Sequence, residues 1–395
     1  MQTWFSRLLV DDISEEFRTN LPELAKAEAK AYDSETPKEI TDSAERTELD
    51  SWYHSETGQA TLVAVFERVW QQMSGIAPWA MPAHDARHAI YKVPATALEY
   101  VRAEAVPGYE RIGVLGALLH DHGRWAEERV FGQPGMGAIH SRLSFLLTRE
   151  LLSEFDLPSG IASQITHAVL QHTKGADEKD VMPTKLTVTA DRDQLYGPEI
   201  VLRLMHHSVN AEGDMGSVFG ERPGRPVLDR LMSFCAIRLP GPLFSRQTHV
   251  DELHRILRDF VLMAEPASRS EVRLRCDEKN MTGRKALGGG DWASLWEAAQ
   301  AMRPVAHDPK AALRTLLIAP QTAPDHGHLE TAIAKLDTVP EDCVETLAGA
   351  LVWVNEQRIR QDERQVRALR EIAVEYSDDR LMVAVAGATV AGLGA

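Results

Sequence analysis

Apolar residues recur at three- and four-residue intervals along most of the chain. The runs Glu45–Gln72, Arg111–His122, Ala138–Phe155, Gly160–Thr173, Asp251–Ala264 and Val344–Tyr376 carry this spacing, the period of an amphipathic α-helix. Strand-like alternation bounded by tight turn dipeptides is scarce. Aromatics make up only 6% of residues, which favours helix over sheet. The predicted fold is all-α.

One segment is apolar on every face. Ile112–Leu119, IGVLGALL, predicts a fully buried helix. His120 and Asp121 follow it directly, and Gly123 is expected to stop the helix. A carboxylate delivered to the end of a buried helix needs a strong partner, because burying an unpaired charge is costly. A metal ion is the natural candidate; an N-cap or ion-pair Asp beside an ordinary core His is the plain alternative.

Helical phase selects further inward-facing groups. Ile161, Ile165 and Val169 form a stripe that includes His172, whereas His167 lands on the opposite side and is expected to be a solvated or packing residue. In Lys185–Tyr196, Val188, Asp191 and Leu195 share one face, and Asp193 points away. His140 shares a face with Leu143 and Leu147. His84 and His88 are spaced i, i+4, with Pro94 expected to kink or end their helix. Each alone suits a satisfied core residue, but together on successive helices they suggest one site. Nine of the fifteen histidines lie between His84 and His207, and imidazole is the commonest transition-metal ligand.

Breakers divide the chain into three stretches. A polar, acidic stretch (1–74) precedes a histidine-rich one (75–266), and a third (267–395) opens with the polar Ser268–Lys279. The glycines at 288–290 within Thr282–Asp291 read as a linker: no strand precedes them, and Lys285 comes before rather than after. Asn210–Pro226, with Arg222 and Arg225, reads as a surface loop or a lid. The charged helix around Asn355–Arg370 has a solvated face by default, with self-association into a homo-oligomer as the alternative. Leu381–Ala395 is uncharged but too short to span a bilayer, and reads as a packed or frayed terminal helix.

Composition narrows the partners. Lys and Arg total 43 against 58 Asp and Glu, a formal charge of −15. That field disfavours non-specific nucleic-acid binding. Cys235, Cys276 and Cys343 lie far apart without CxxC spacing, so they build neither a zinc knuckle nor a disulfide framework and fit a reducing cytoplasm. The N-terminus turns acidic after a very short apolar stretch, unlike a signal peptide. No membrane span is expected, and the expected location is cytoplasmic.

The order of these residues resembles the HD-domain superfamily of metal-dependent phosphohydrolases. The stretches that carry the resemblance are His88 in HAIYKV, His120-Asp121 in LLHDHGR, His140 in GAIHSRL, His172 in AVLQHTK and Asp191 in TADRDQL. It covers about residues 80–200, favours His88 over His84, and implies an HD-like helical core with the metal between its helices and additional helices at both ends. The sequence lacks the GYP signature of the cyclic-di-GMP phosphodiesterases, the HDxxED arrangement of the guanosine-tetraphosphate hydrolases and the HPPFGH-like run of the deoxynucleoside triphosphate hydrolases.

Six candidate ligands (His88, His120, Asp121, His140, His172, Asp191) suit two divalent ions, with Asp121 bridging; a single ion held by His88, His120, Asp121 and Asp191 is the alternative. Mixed N and O donors leave Fe, Mn, Zn, Co and Ni open. Such a centre suits hydrolysis of a small phosphorylated substrate, a phosphoester such as a nucleotide or cyclic nucleotide, by metal-activated water. Lys92 and Arg124 are candidate phosphate clamps or else surface charges. His122 is a candidate proton donor or else a solvent-facing residue. The rival functions are a di-iron oxygenase, which the resemblance allows, and a non-catalytic regulatory module.

Overall fold

The computed structural model describes residues 7–8, 12–32, 43–76, 84–104, 106–131, 139–173, 180–195, 197–211, 218, 227–228, 230–231, 247–264, 292–318 and 327–394. The fold is all-α, with no strand among these residues. The Gly-rich segment 282–291 and nearly all of the 210–226 stretch lie outside them. No helix among the described residues is long and apolar enough to cross a membrane. The chain forms two compact units. One comprises Met1–Arg192, Leu243–Ser245 and Arg364–Ala395; the other comprises Asp193–Pro242 and Arg246–Glu363. These units follow contact, whereas the three stretches read from the sequence follow composition.

The first unit begins with α1 (Glu15–Tyr32), α2 (Ser43–His54) and α3 (Glu56–Met73). The single run expected over Glu45–Gln72 is broken at Ser55. Its hydroxyl accepts from Gly58 N at 3.0 Å and donates to Trp52 O at 2.7 Å, so it caps α3 at its start and also binds the end of α2. A Cβ on Gly58 would lie 2.0 Å from Trp52 O, which only glycine avoids. Next comes a π turn, Arg87–Lys92, running straight into α4 (Val93–Glu104). Pro94 does not end the helix. It has no N–H for the carbonyl of Ile90, four residues back, and the turn before it is widened.

α5 (Glu110–Leu119) is buried from Arg111 to its end, as the uninterrupted apolar run Ile112–Leu119 predicts. It packs tightly on α9 (Met182–Asp193): a Cβ on Gly113 would meet Leu186 Cδ2 at 2.2 Å, and one on Gly116 would meet Thr187 Oγ1 at 2.5 Å. α6 (His122–Phe131) follows α5 after only His120 and Asp121. Gly123 therefore does not stop a helix. It lies in the first turn of α6 and lets that turn touch α7 (His140–Ser153), where a Cβ would meet His140 O at 2.3 Å and Ser144 N at 2.5 Å. α8 (Ser159–Gln171) packs against both α5 and α7.

The C-terminal end of the chain completes this unit. The last turns of α15 (Glu341–Glu375) bring Leu369 and Ile372 into its core. α16 (Arg380–Gly394) is a packed helix, resolving the alternatives left for Leu381–Ala395, and lies against α3, α4 and the π turn. Its start is fixed by a buried Arg111–Asp379 pair at 2.6 Å and by Arg380 N donating to Gln59 Oε1 at 2.8 Å.

The second unit holds α10 (Pro198–His206), a second π turn (His207–Ala211), α11 (Gln247–Ala264), α12 (Trp292–Met302), α13 (Pro309–Leu317), α14 (Gly327–Leu336) and most of α15 around its own apolar core. The carbonyls of Leu316 and Leu317 at the end of α13 have no partner within the helix. His206 Nε2 donates to the first and Asn210 Nδ2 to the second.

Candidate metal centre

Four packed helices and the π turn deliver histidines and carboxylates to one place in the first unit. α5 ends at Leu119 and hands His120 and Asp121 to the interior. α7 opens with His140, His172 follows directly on the end of α8, and α9 contributes Asp191. The π turn contributes His88, whose backbone N–H is capped by Asp85 Oδ1 at 3.1 Å, and the bend before it contributes His84. Three groups result, each with donor atoms within 4.8 Å of one another: His84, His88 and Asp121; His88, His120 and Asp191; and Asp121, His140 and His172.

Asp121 stands between them with its two oxygens facing different groups. Oδ2 lies 2.9 Å from His84 Nδ1, 3.6 Å from His120 Nε2 and 3.8 Å from His88 Nε2. Oδ1 lies 3.7 Å from His140 Nε2 and 3.8 Å from His172 Nε2. Asp191 Oδ1 lies 3.3 Å from His88 Nε2 and 3.7 Å from His120 Nε2. Burial alone would raise the Asp121 carboxyl, but His120, the hydrogen bond from His84 and the nearby Arg124 pull it well below the usual range. Asp191 is likewise held ionised against its burial, first by the bond from His88.

Two observations test whether these residues fit a metal ion. First, most of the N–O separations exceed a hydrogen bond. They come within a few tenths of an ångström of the edges of a coordination shell, where bonds of about 2.1 Å set neighbouring donors roughly 3–3.5 Å apart. Second, the tautomers are fixed. His120 Nδ1 lies 2.6 Å from Ala117 O and His172 Nδ1 lies 2.6 Å from Val169 O. A carbonyl only accepts, so both Nδ1 atoms carry a proton, and in the neutral imidazole that leaves the Nε2 lone pair facing the cluster. His120 Nε2 is buried and makes no hydrogen bond among the described residues. The donors fit a cation, and these buried His/Asp clusters could hold a metal ion.

The candidates outside the ligand set are all buried, so the surface alternatives drawn for them do not hold. Lys92 is fully buried and donates to Gln365 Oε1 at 2.9 Å. Arg124 donates to buried Glu127 at 2.8 Å, and its Nε lies 3.7 Å from Asp121 Oδ1. His122 is buried, with Nε2 2.7 Å from Gln72 Oε1 and its ring stacked on Trp125. Burial pushes its pKa down to about 3. His167 is buried beside Asp180 rather than solvated, and Asp193 is also buried; neither belongs to the three groups. Sequence reasoning passed over His84 in favour of His88, although the i, i+4 spacing named both. Nothing in the pattern pointed to Gln72, Glu127 or Gln365.

Comparison with protein-family models, with curated proteins and with solved structures finds no match to this chain.

Proposed function

We propose that this centre makes the chain a metal-dependent phosphohydrolase of the HD-domain type, acting on a small phosphoester such as a nucleotide or cyclic nucleotide. The observation that carries the reading is the Asp121 carboxylate, which offers one oxygen to each of two imidazole groups. Bound divalent transition ions, two in this reading, would supply an activated water and hold the phosphoryl oxygens. Asp121 and Asp191 offset their charge, while His120 and His172 hold Nε2 in a fixed direction through their bonds to backbone carbonyls. Arg124, braced by Glu127, stands behind Asp121 Oδ1. The donor set suits Fe, Mn, Zn, Co or Ni. The acidic chain and its scattered cysteines suit a cytoplasmic enzyme.

Elemental analysis of the purified protein, with a panel of phosphomonoesters, nucleotides and cyclic nucleotides, tests this. Phosphoester cleavage that needs bound metal and disappears in Asp121→Asn supports it. Cleavage that survives complete metal removal overturns it. Oxygen uptake by the iron-loaded protein with no phosphoester cleaved would assign the centre to an oxygenase instead.

A further inference from the structure

We propose that His84 is a positioning residue: it orients the Asp121 carboxylate across the two donor groups and so sets how tightly the centre takes its metal. The inference rests on reading the cluster as a metal centre.

Distance separates His84 from the other imidazoles. His88, His120, His140 and His172 all stand 3.6–3.8 Å from an Asp121 oxygen, too far for hydrogen bonds. His84 Nδ1 stands at 2.9 Å, the length of an N–H···O bond. A carboxylate that binds metal only accepts, so in this reading His84 donates. That bond occupies one lone pair of Oδ2 and leaves the other directed toward His88 and His120. It also fixes the carboxylate's rotation, and with it the aim of Oδ1 at His140 and His172. The His84 ring lies between those groups, 5.6 Å from the His88 ring and 6.1 Å from the His140 ring. Its side chain is 36% exposed, against 1% for His88 and 2% for Asp121, so it stands where the cluster meets solvent.

The test is a cobalt(II) titration of the full-length protein against a competing chelator, followed by visible absorption. His84→Ala and His84→Leu should weaken cobalt binding by about 10–100-fold, the usual cost of losing a group that orients a ligand. His84→Asn, which keeps an N–H near the position of Nδ1, should recover most of that loss. At saturation the d–d bands of all three variants should coincide with wild type, because no donor has been removed. Wild-type affinity in both Ala and Leu variants, or loss without recovery in the Asn variant, overturns the inference. Displaced bands overturn it too, by making His84 a ligand. A wild-type protein that takes up no cobalt is a separate outcome, and it removes the metal reading together with this role.

Discussion

The Nε2 atoms of His140 and His172 face each other at 3.2 Å inside the protein. His172 cannot donate across that gap, because its proton is on Nδ1, bonded to Val169 O. Burial, followed by the neighbouring His120, also disfavours a second proton on its ring. Either His140 donates to His172, or both lone pairs converge on a cation with Asp121 Oδ1. His172→Ala should therefore lower metal per chain. His167→Ala, five residues earlier on the same helix, should leave metal content unchanged and cost stability of about 1–3 kcal/mol, as for other buried polar groups. Metal analysis beside urea unfolding of the two variants checks both halves.

Asp121 and Asp193 provide a sharper contrast. Asp121→Ala removes the carboxylate whose two oxygens face imidazoles on opposite sides, so metal affinity should drop more than tenfold, and any metal-dependent hydrolysis with it. Asp193→Asn keeps the size of a buried side chain outside the groups and should hold wild-type metal stoichiometry. Full metal on Asp121→Ala would show that the cluster is not the binding site.

How much of this was legible follows from the range of each signal. The burial of Asp121 was readable because Ile112–Leu119 is apolar all round and delivers the next residues inward. The choice of His172 over His167 for the cluster was readable from phase, since α8 stays regular up to His172. His84 was not, because its position depends on a bend and the Asp85 cap rather than on a continuous helix. The roles of Gly123 and Gly58 were not, because they concern the neighbouring helix. The return of α16 onto the π turn was hidden for the same reason: periodicity marks which face is buried, not what buries it. Lys92 reads from the sequence as a phosphate clamp or else a surface charge, and nothing local shows that it faces Gln365, 273 residues away.

Gly123 sets the spacing between the two helices that frame Asp121. In Gly123→Ala the new Cβ would meet two backbone atoms of α7, His140 O and Ser144 N, which cannot swing aside as a flexible side chain can. The helices must separate, and the hydrogen bond from Gly123 N to Ser144 Oγ at 2.8 Å must stretch. Overpacking of this kind costs about 1–3 kcal/mol. Because His140 opens α7, the shift should also weaken metal binding on the Oδ1 side. A folded variant with unchanged stability and metal affinity would contradict this packing.

His206 makes the second unit sensitive to pH. Burial holds its imidazole below the ordinary value of 6.5, partly opposed by the bond to Leu316 O. Its single ring proton serves a carbonyl at the end of α13, so the neutral form belongs to the folded state. The unfolded chain binds a second proton near pH 6.5, while the folded chain takes it up only at lower pH. Stability linked to His206 is therefore complete above about pH 6.5. It falls as pH drops below about 6.5 and is lost once pH has passed through the folded value, with a limiting slope of about 1.4 kcal/mol per pH unit between the two. Urea unfolding of wild type and His206→Gln between pH 8 and pH 5, followed through the tryptophans of the second unit, measures the difference. Wild type should be the more stable at pH 8 and should lose that advantage toward pH 5. Parallel curves would mean that His206 keeps an ordinary pKa in the fold.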